Sequence, residues 1–251
     1  FTFKDMKDMS DKAASYYLSL GIKKGDIVML ILGRRYEFWV TMLALLKIGA
    51  VAIPATHLLT DHDIVYRVEK AGIKAIVCAG ESYIVGNVEM AIRKCSAAGN
   101  APASLVSVGP EVPEGFHDFH AEWKDAPAFV RPEDKGSNDD IMLMYFTSGT
   151  SGEPKMVAHD MVYPLGHIAT GAFWHNLGPD SLHLTIADTG WAKAAWGKLY
   201  GQWLAGATLF VYDHARFKAE DILELIGKYR ITSLCAPPTI LRFLIHDDLG
   251  N

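Results

Sequence analysis

The residues best suited to chemistry in this chain stand together in Thr147-Ser148-Gly149-Thr150-Ser151-Gly152-Glu153-Pro154-Lys155. Glycines let backbone amides turn inward as an anion nest. The hydroxyls of Thr147, Ser148, Thr150 and Ser151 add donors, and Lys155 adds a positive charge on a flexible stem that can meet terminal phosphate oxygens. Two familiar alternatives fail on spacing. A hydrolase elbow needs G-x-S-x-G on a strand-to-helix turn. Gly149-Thr150-Ser151-Gly152 lacks the residue between serine and the second glycine, and no paired histidine and acid stand out for it. The common nucleotide loop needs lysine directly after its last glycine. Here Glu153 and Pro154 intervene, and Pro154 has no amide to donate where a helix would be starting. The plain alternative is a mobile Gly-Ser connector. This order of residue types, between an apolar strand and a further apolar stretch, favours phosphate binding.

Other chemistry-bearing residues carry weaker signals. His117 and His120 lie three apart without a third ligand, which is thin for a metal and reads better as surface-loop histidine. His159 closely follows the loop and reads as a hydrogen-bonded brace. Trp191, taken alone, reads as a core aromatic closing a strand end. Cys78, Cys95 and Cys235 lie far apart with no metal or redox spacing. They read as reduced, buried thiols of a reducing compartment.

The elements that must position these residues alternate. Asp26–Leu32 reads as a buried strand, apolar from Ile27 onward, Tyr36–Ile48 follows with helical spacing, and Gly49 stops it. Ala50–Ala55 is a second strand. Thr60 and Asp63 form a capping pair before a helix that Gly72 ends. Lys74–Cys78, a helix over Ile84–Ala97 and a strand over Ser104–Val108 continue the pattern. Strands are predicted again at Ile141–Phe146, Leu182–Ala187, Thr208–Tyr212 and Ile231–Cys235. Helices are predicted at Met161–Phe173, Ala192–Leu204, Ala219–Tyr229 and Pro238–Leu249. This rhythm predicts an α/β fold with mostly parallel sheets flanked by helices. It divides into a first βα subdomain over 1–108, an irregular connection with a short strand over 109–140, and a second βα subdomain over 141–251 that carries the loop. A connection as long as 109–140 marks a subdomain boundary or a functional excursion.

Composition narrows the partners. The chain has 251 residues, half of them apolar, and a formal net charge of -5. It has no long basic stretch, so nucleic acid is not an expected partner. No apolar segment approaches the ~20 residues of a membrane span. The chain begins at Phe1, which is compatible with removal of a targeting segment. It stops after a helix in mid-rhythm. The expected compartment is the cytoplasm, or the mitochondrial matrix for a eukaryotic source, and the composition says nothing of oligomeric state.

The loop Thr147–Lys155 resembles the signature loop of the adenylate-forming enzymes, which include acyl-CoA synthetases, luciferases and peptide-synthetase adenylation domains. Gly25-Asp26-Ile27-Val28 is similar to that family's early strand. Leu45-Leu46-Lys47-Ile48-Gly49-Ala50 with Ile53-Pro54 is similar to its next helix-to-strand turn. Asp188-Thr189-Gly190-Trp191-Ala192-Lys193 and Ala236-Pro237-Pro238-Thr239 narrow the resemblance to medium-chain acyl-CoA synthetases and their acetyl-CoA synthetase relatives. The resemblance implies ATP and coenzyme A as substrates, Mg2+ as a helper, and a small or medium-chain carboxylic acid as the group activated. It implies phosphate contacts from Thr147 to Lys155, with Lys155 and Thr147 closest to the chemistry, and an acyl-pocket wall from Trp191 and Gly190. The position matching the family's usual coenzyme A contact is Leu58, so no such contact is carried over. The family's adenine, ribose and lid segments have no match before Asn251. The chain is therefore expected to be an N-terminal part of the large domain and inactive alone. An aryl or amino acid activator, and a non-catalytic nucleotide-binding module, are the alternatives.

Overall fold

Thr2 starts the first helix by a reciprocal cap. The Asp5 amide donates to the Thr2 hydroxyl at 3.1 Å, and the Thr2 amide donates to the Asp5 carboxylate at 2.7 Å. The computed structural model describes residues 1–148, 152–214 and 217–246. Two compact units divide them, Phe1–Met161 and Val162–Asn251.

The first unit runs α1 (Phe3–Ser19), β1 (Ile27–Ile31), α2 (Glu37–Ile48), β2 (Val51–Pro54), α3 (Asp61–Ala71), β3 (Ala75–Ala79), α4 (Ser82–Ala98), β4 (Ser104–Val108), β5 (His117–Asp118), α5 (Phe119–Glu122), β6 (Ile141–Thr147) and β7 (Lys155–Asp160). Its seven strands are ordered β5-β4-β3-β1-β2-β6-β7. All neighbours are parallel except β6 and β7, which are antiparallel. The central strands are nearly continuous apolar runs because helices cover both faces of a parallel sheet. Met29, Ile31, Ile53, Ile76, Val88 and Cys95 are core residues of this layer.

The sequence signals that end these helices act as expected. Gly49, Gly72 and Gly99 follow α2, α3 and α4 in the left-handed region, which costs glycine little. Thr60 and Asp63 form the predicted cap of α3, with the Thr60 amide donating to Asp63 at 3.0 Å. Within 109–140, β5 pairs with β4. Lys24 ties this connection to the start of the sheet through Asp134 at 2.8 Å and Asp140 at 2.9 Å. His117 meets Glu122 at 3.0 Å and His120 meets Glu37 at 3.1 Å. Each histidine therefore faces a carboxylate, and among the described residues no three His, Cys, Asp or Glu gather to hold a metal ion.

The second unit runs α6 (Tyr163–Ala169) with a π turn over Thr170–Trp174, then β8 (Leu182–Thr185), α7 (Ala192–Lys198), α8 (Tyr200–Leu204), β9 (Thr208–Phe210), α9 (Ala219–Tyr229), β10 (Ser233–Cys235) and α10 (Pro238–His246). Its three strands are parallel in the order β10-β8-β9. Leu184, Ile186 and Ile222 centre its apolar core.

Helix α5 breaks the expected irregularity of 109–140, and three further elements differ from the sequence expectation. Helix α1 was not anticipated. The buried side of α1 is Met6, Ser10, Ala13, Ala14, Ser15, Tyr16 and Tyr17, with no leucine, isoleucine or valine among them, so no aliphatic run marks it as a core helix. The expected helix over Ala192–Leu204 is two helices broken at Leu199, whose φ of -141° and ψ of -81° are not helical. Strand β7 follows the loop directly, where no strand was expected. Its first four residues, Lys155–Ala158, are exposed on the sheet edge and give no apolar alternation.

No described helix is long and apolar enough to cross a membrane. All three cysteines are free and buried. Burial, with Glu81 adding to it, pushes the Cys78 thiol up to about 12. A neutral buried thiol is a poor nucleophile. A thiol-directed reagent is therefore expected to label none of the three in the native protein and all three after denaturation. Rapid native labelling would contradict the packing described here.

Candidate functional site

Strand β6 is carried on β2 through the pairing of Ala52 with Leu143, and it hands the chain to the loop at Thr147. Strand β7 takes it back at Lys155. Thr147 and Lys155 are directly opposed across this antiparallel pair. Opposed residues project from the same sheet face, so a hydroxyl and an ammonium flank the loop mouth together. The Thr147 hydroxyl donates to the Lys155 carbonyl at 3.4 Å. The loop is thus the tip of a β-hairpin, unlike the strand-to-helix turn of the common nucleotide loop.

Ser148, Gly152, Glu153 and Lys155 are exposed, and Pro154 is half-buried. Gly152 has φ +107° with open space where a side chain would begin, so the chain turns there in a conformation that other residues resist. Gly149, Thr150 and Ser151, expected as phosphate contacts, lie outside the described residues. The described part of the loop offers an accessible cation, a hydroxyl beside it and open space at Gly152. That set suits a polyanion. His159 lies further along β7, its ring 6.5 Å from that of Tyr145. Burial lowers its pKa.

The second candidate feature is Asp188–Trp191, after β8. The Gly190 amide donates to the Asp188 carboxylate at 2.9 Å, an Asx-type turn. The Trp191 amide donates to the Asp188 carbonyl at 3.2 Å. Thr189 is fully buried, whereas Trp191 is 58% exposed and caps α7, its carbonyl accepting from Ala194 at 2.8 Å. The reading of Trp191 as a core residue does not hold, because this turn aims its ring outward. A large flat ring held outward by a rigid turn can form the wall of an apolar pocket.

Beneath this turn lies a buried polar layer that no sequence motif announced. Lys198 is 5% exposed, and its ammonium donates to the Ala187 carbonyl at 2.5 Å. His183 Nε2 donates to the Gly197 carbonyl at 2.9 Å, and its Nδ1 accepts from the Ser233 hydroxyl at 2.9 Å. Both ring nitrogens are used in the neutral form. Burial, despite that carbonyl, pushes the His183 pKa down from 6.5 to about 4. Above 6.5 the folded and unfolded chains are both neutral at this group. As pH falls from 6.5 toward 4, the unfolded chain takes a proton that the folded chain refuses, so stability is lost. The loss is expected to be on the order of 3 kcal/mol, and His183→Gln should flatten it. Thermal unfolding measured across that window checks the slope. An unchanged slope in the variant would place the acid sensitivity elsewhere.

Leu58, at the position where no coenzyme A contact was expected, is 72% exposed and offers only an apolar side chain.

Comparison with known proteins adds to this geometry. The sequence profile of the AMP-binding enzyme family matches residues 1–250. The mitochondrial acyl-coenzyme A synthetase ACSM3 of Homo sapiens is 34% identical over 256 residues, covering all of this chain and 42% of that protein. The mitochondrial acyl-coenzyme A synthetase ACSM4 of Rattus norvegicus is 34% identical over 251 residues, covering 99% of this chain and 42% of its own length. The chain therefore spans about 42% of the length of these curated relatives. Among solved structures, an acyl-CoA synthetase of Brucella canis superposes with a TM-score of 0.85 at 28% identity, over 98% of this chain and 43% of that one. An anthranilate CoA ligase bound to anthranoyl-AMP superposes with a TM-score of 0.82 at 22% identity, over 92% of this chain and 44% of that one, a likeness of fold.

Proposed function

The chain belongs to the AMP-binding enzyme family, and from that premise we propose that it supplies the phosphate-gripping part of an acyl-CoA synthetase for small or medium-chain carboxylic acids. The observation that carries this reading is the opposed pair Thr147 and Lys155 at the mouth of an exposed hairpin loop. In the first half-reaction a carboxylate oxygen attacks the α-phosphorus of ATP. The bond to the bridging oxygen breaks, and its electron pair leaves with pyrophosphate. In the second, the coenzyme A thiolate attacks the acyl carbonyl and AMP leaves. The carboxylate is already a nucleophile, so the protein's task is to align two anions and stabilise charge moving onto pyrophosphate.

Lys155 screens the β- and γ-phosphate oxygens, Thr147 turns its hydroxyl from the Lys155 carbonyl to one of them, and the amides of 148–153 complete the cradle. Trp191, with Gly190 keeping the turn narrow, forms one wall for the acyl chain. A magnesium ion bound beside the Thr147 hydroxyl would neutralise negative charge on the phosphates. For a eukaryotic source, the mitochondrial names of the relatives favour the matrix over the cytoplasm.

Product analysis of the intact protein tests the proposal. ATP, coenzyme A and a medium-chain acid should give acyl-CoA, AMP and pyrophosphate in equal amounts. Formation of ADP and phosphate instead would reject it.

A further inference from the structure

Both feet of the hairpin loop rest on one helix. Tyr66 of α3 donates its hydroxyl to the Pro154 carbonyl at 2.9 Å. Its ring also stands edge-on to Phe146, with centroids 6.1 Å apart and planes at 69°. The next residue, Arg67, places its guanidinium 5.0 Å from the centre of the same Phe146 ring. Arg67 is itself held by a 2.9 Å bond to the Asp63 carbonyl, in the capped first turn of α3.

Phe146 immediately precedes Thr147, and Pro154 immediately precedes Lys155. The Pro154 carbonyl belongs to the peptide group that continues into the Lys155 amide. Fixing that carbonyl fixes the plane from which Lys155 departs. Packing Phe146 fixes the strand end from which Thr147 departs. A glycine-rich loop gains little rigidity from its own side chains, and β7 is exposed on the sheet edge. The orientation of the loop mouth must then come from outside the hairpin, and α3 is the element that supplies it.

We propose that Tyr66 is a positioning residue for the phosphate loop, orienting Lys155 through its bond to the Pro154 carbonyl. This rests on the reading of that loop as the phosphate site. The test is Tyr66→Phe in the intact protein, which removes the hydroxyl and keeps the ring against Phe146. It is measured beside Lys155→Ala for KM and kcat toward ATP and toward the acid. Tyr66→Phe is expected to lower kcat/KM for ATP about five-fold, as loss of one hydrogen bond would. The KM for the acid and the thermal midpoint should hardly change. An impaired Lys155→Ala beside a Tyr66→Phe that leaves ATP kinetics unchanged, or that harms both substrates equally, overturns the assignment while the loop reading stands. A silent Lys155→Ala overturns the loop reading and the Tyr66 assignment with it.

Discussion

Replacing Lys155 with alanine in the intact protein is expected to lower acid-dependent ATP–pyrophosphate exchange by about 100-fold, the usual scale for removing one group that meets developing charge. The expected cost to folding is small. Lys155 is exposed on the edge strand. Surface substitutions of that kind usually stay within about 0.5 kcal/mol. The two readouts therefore separate a binding role from a structural one. Lys155→Arg gives an informative intermediate. It keeps the charge but spreads it over a planar fork that approaches phosphate differently from a point ammonium. Partial recovery is expected. Full exchange activity in the alanine variant would remove Lys155 from the phosphate site.

The second large effect is expected at Trp191. Trp191→Ala should alter the preference between short and longer acids by about 10- to 200-fold, the range over which pocket contacts discriminate methylenes. The direction follows from the proposed role of the ring. A ring that walls the acyl site limits its depth, so its removal should let longer or bulkier acids gain relative to short ones. Stability should change little, because the ring is 58% exposed and the turn is held by Asp188 and backbone groups rather than by the indole. The ratio of kcat/KM across an acid series reads this directly. A large fall in thermal midpoint with an unchanged ratio would return Trp191 to a packing role.

Much of the fold was legible because it rests on local, strongly typed signals. The apolar run at Ile27–Ile31 specified a central strand, Thr60 with Asp63 specified a helix start, and Gly49 and Gly72 specified helix ends. The α/β class with a mostly parallel sheet followed from their alternation. Features fixed by distant contacts were not legible. Apart from Met6, helix α1 buries small and hydroxylated side chains, so no aliphatic run marked it. Strand β7 exists because β6 offers it a partner, and its short apolar stretch, Met156–Ala158, is exposed and does not alternate. The same limit governs the site. The loop announced itself by residue type and spacing, but Tyr66, whose hydroxyl holds the Pro154 carbonyl, lies 88 residues away with no motif around it. The buried layer of His183 and Lys198 was silent for the same reason. Its meaning depends on Gly197, Ser233 and Ala187 coming within hydrogen-bond reach.

The loop of this chain is proposed to serve formation of an acyl-adenylate from ATP and a free carboxylic acid. ATP–pyrophosphate exchange by the intact protein, measured without coenzyme A across straight-chain, branched and aromatic acids, tests that claim most directly. Exchange should require an acid, be strongest with small or medium-chain aliphatic acids, and collapse with Lys155→Ala. Exchange that is absent with every acid, or that appears only when coenzyme A is added, would contradict it.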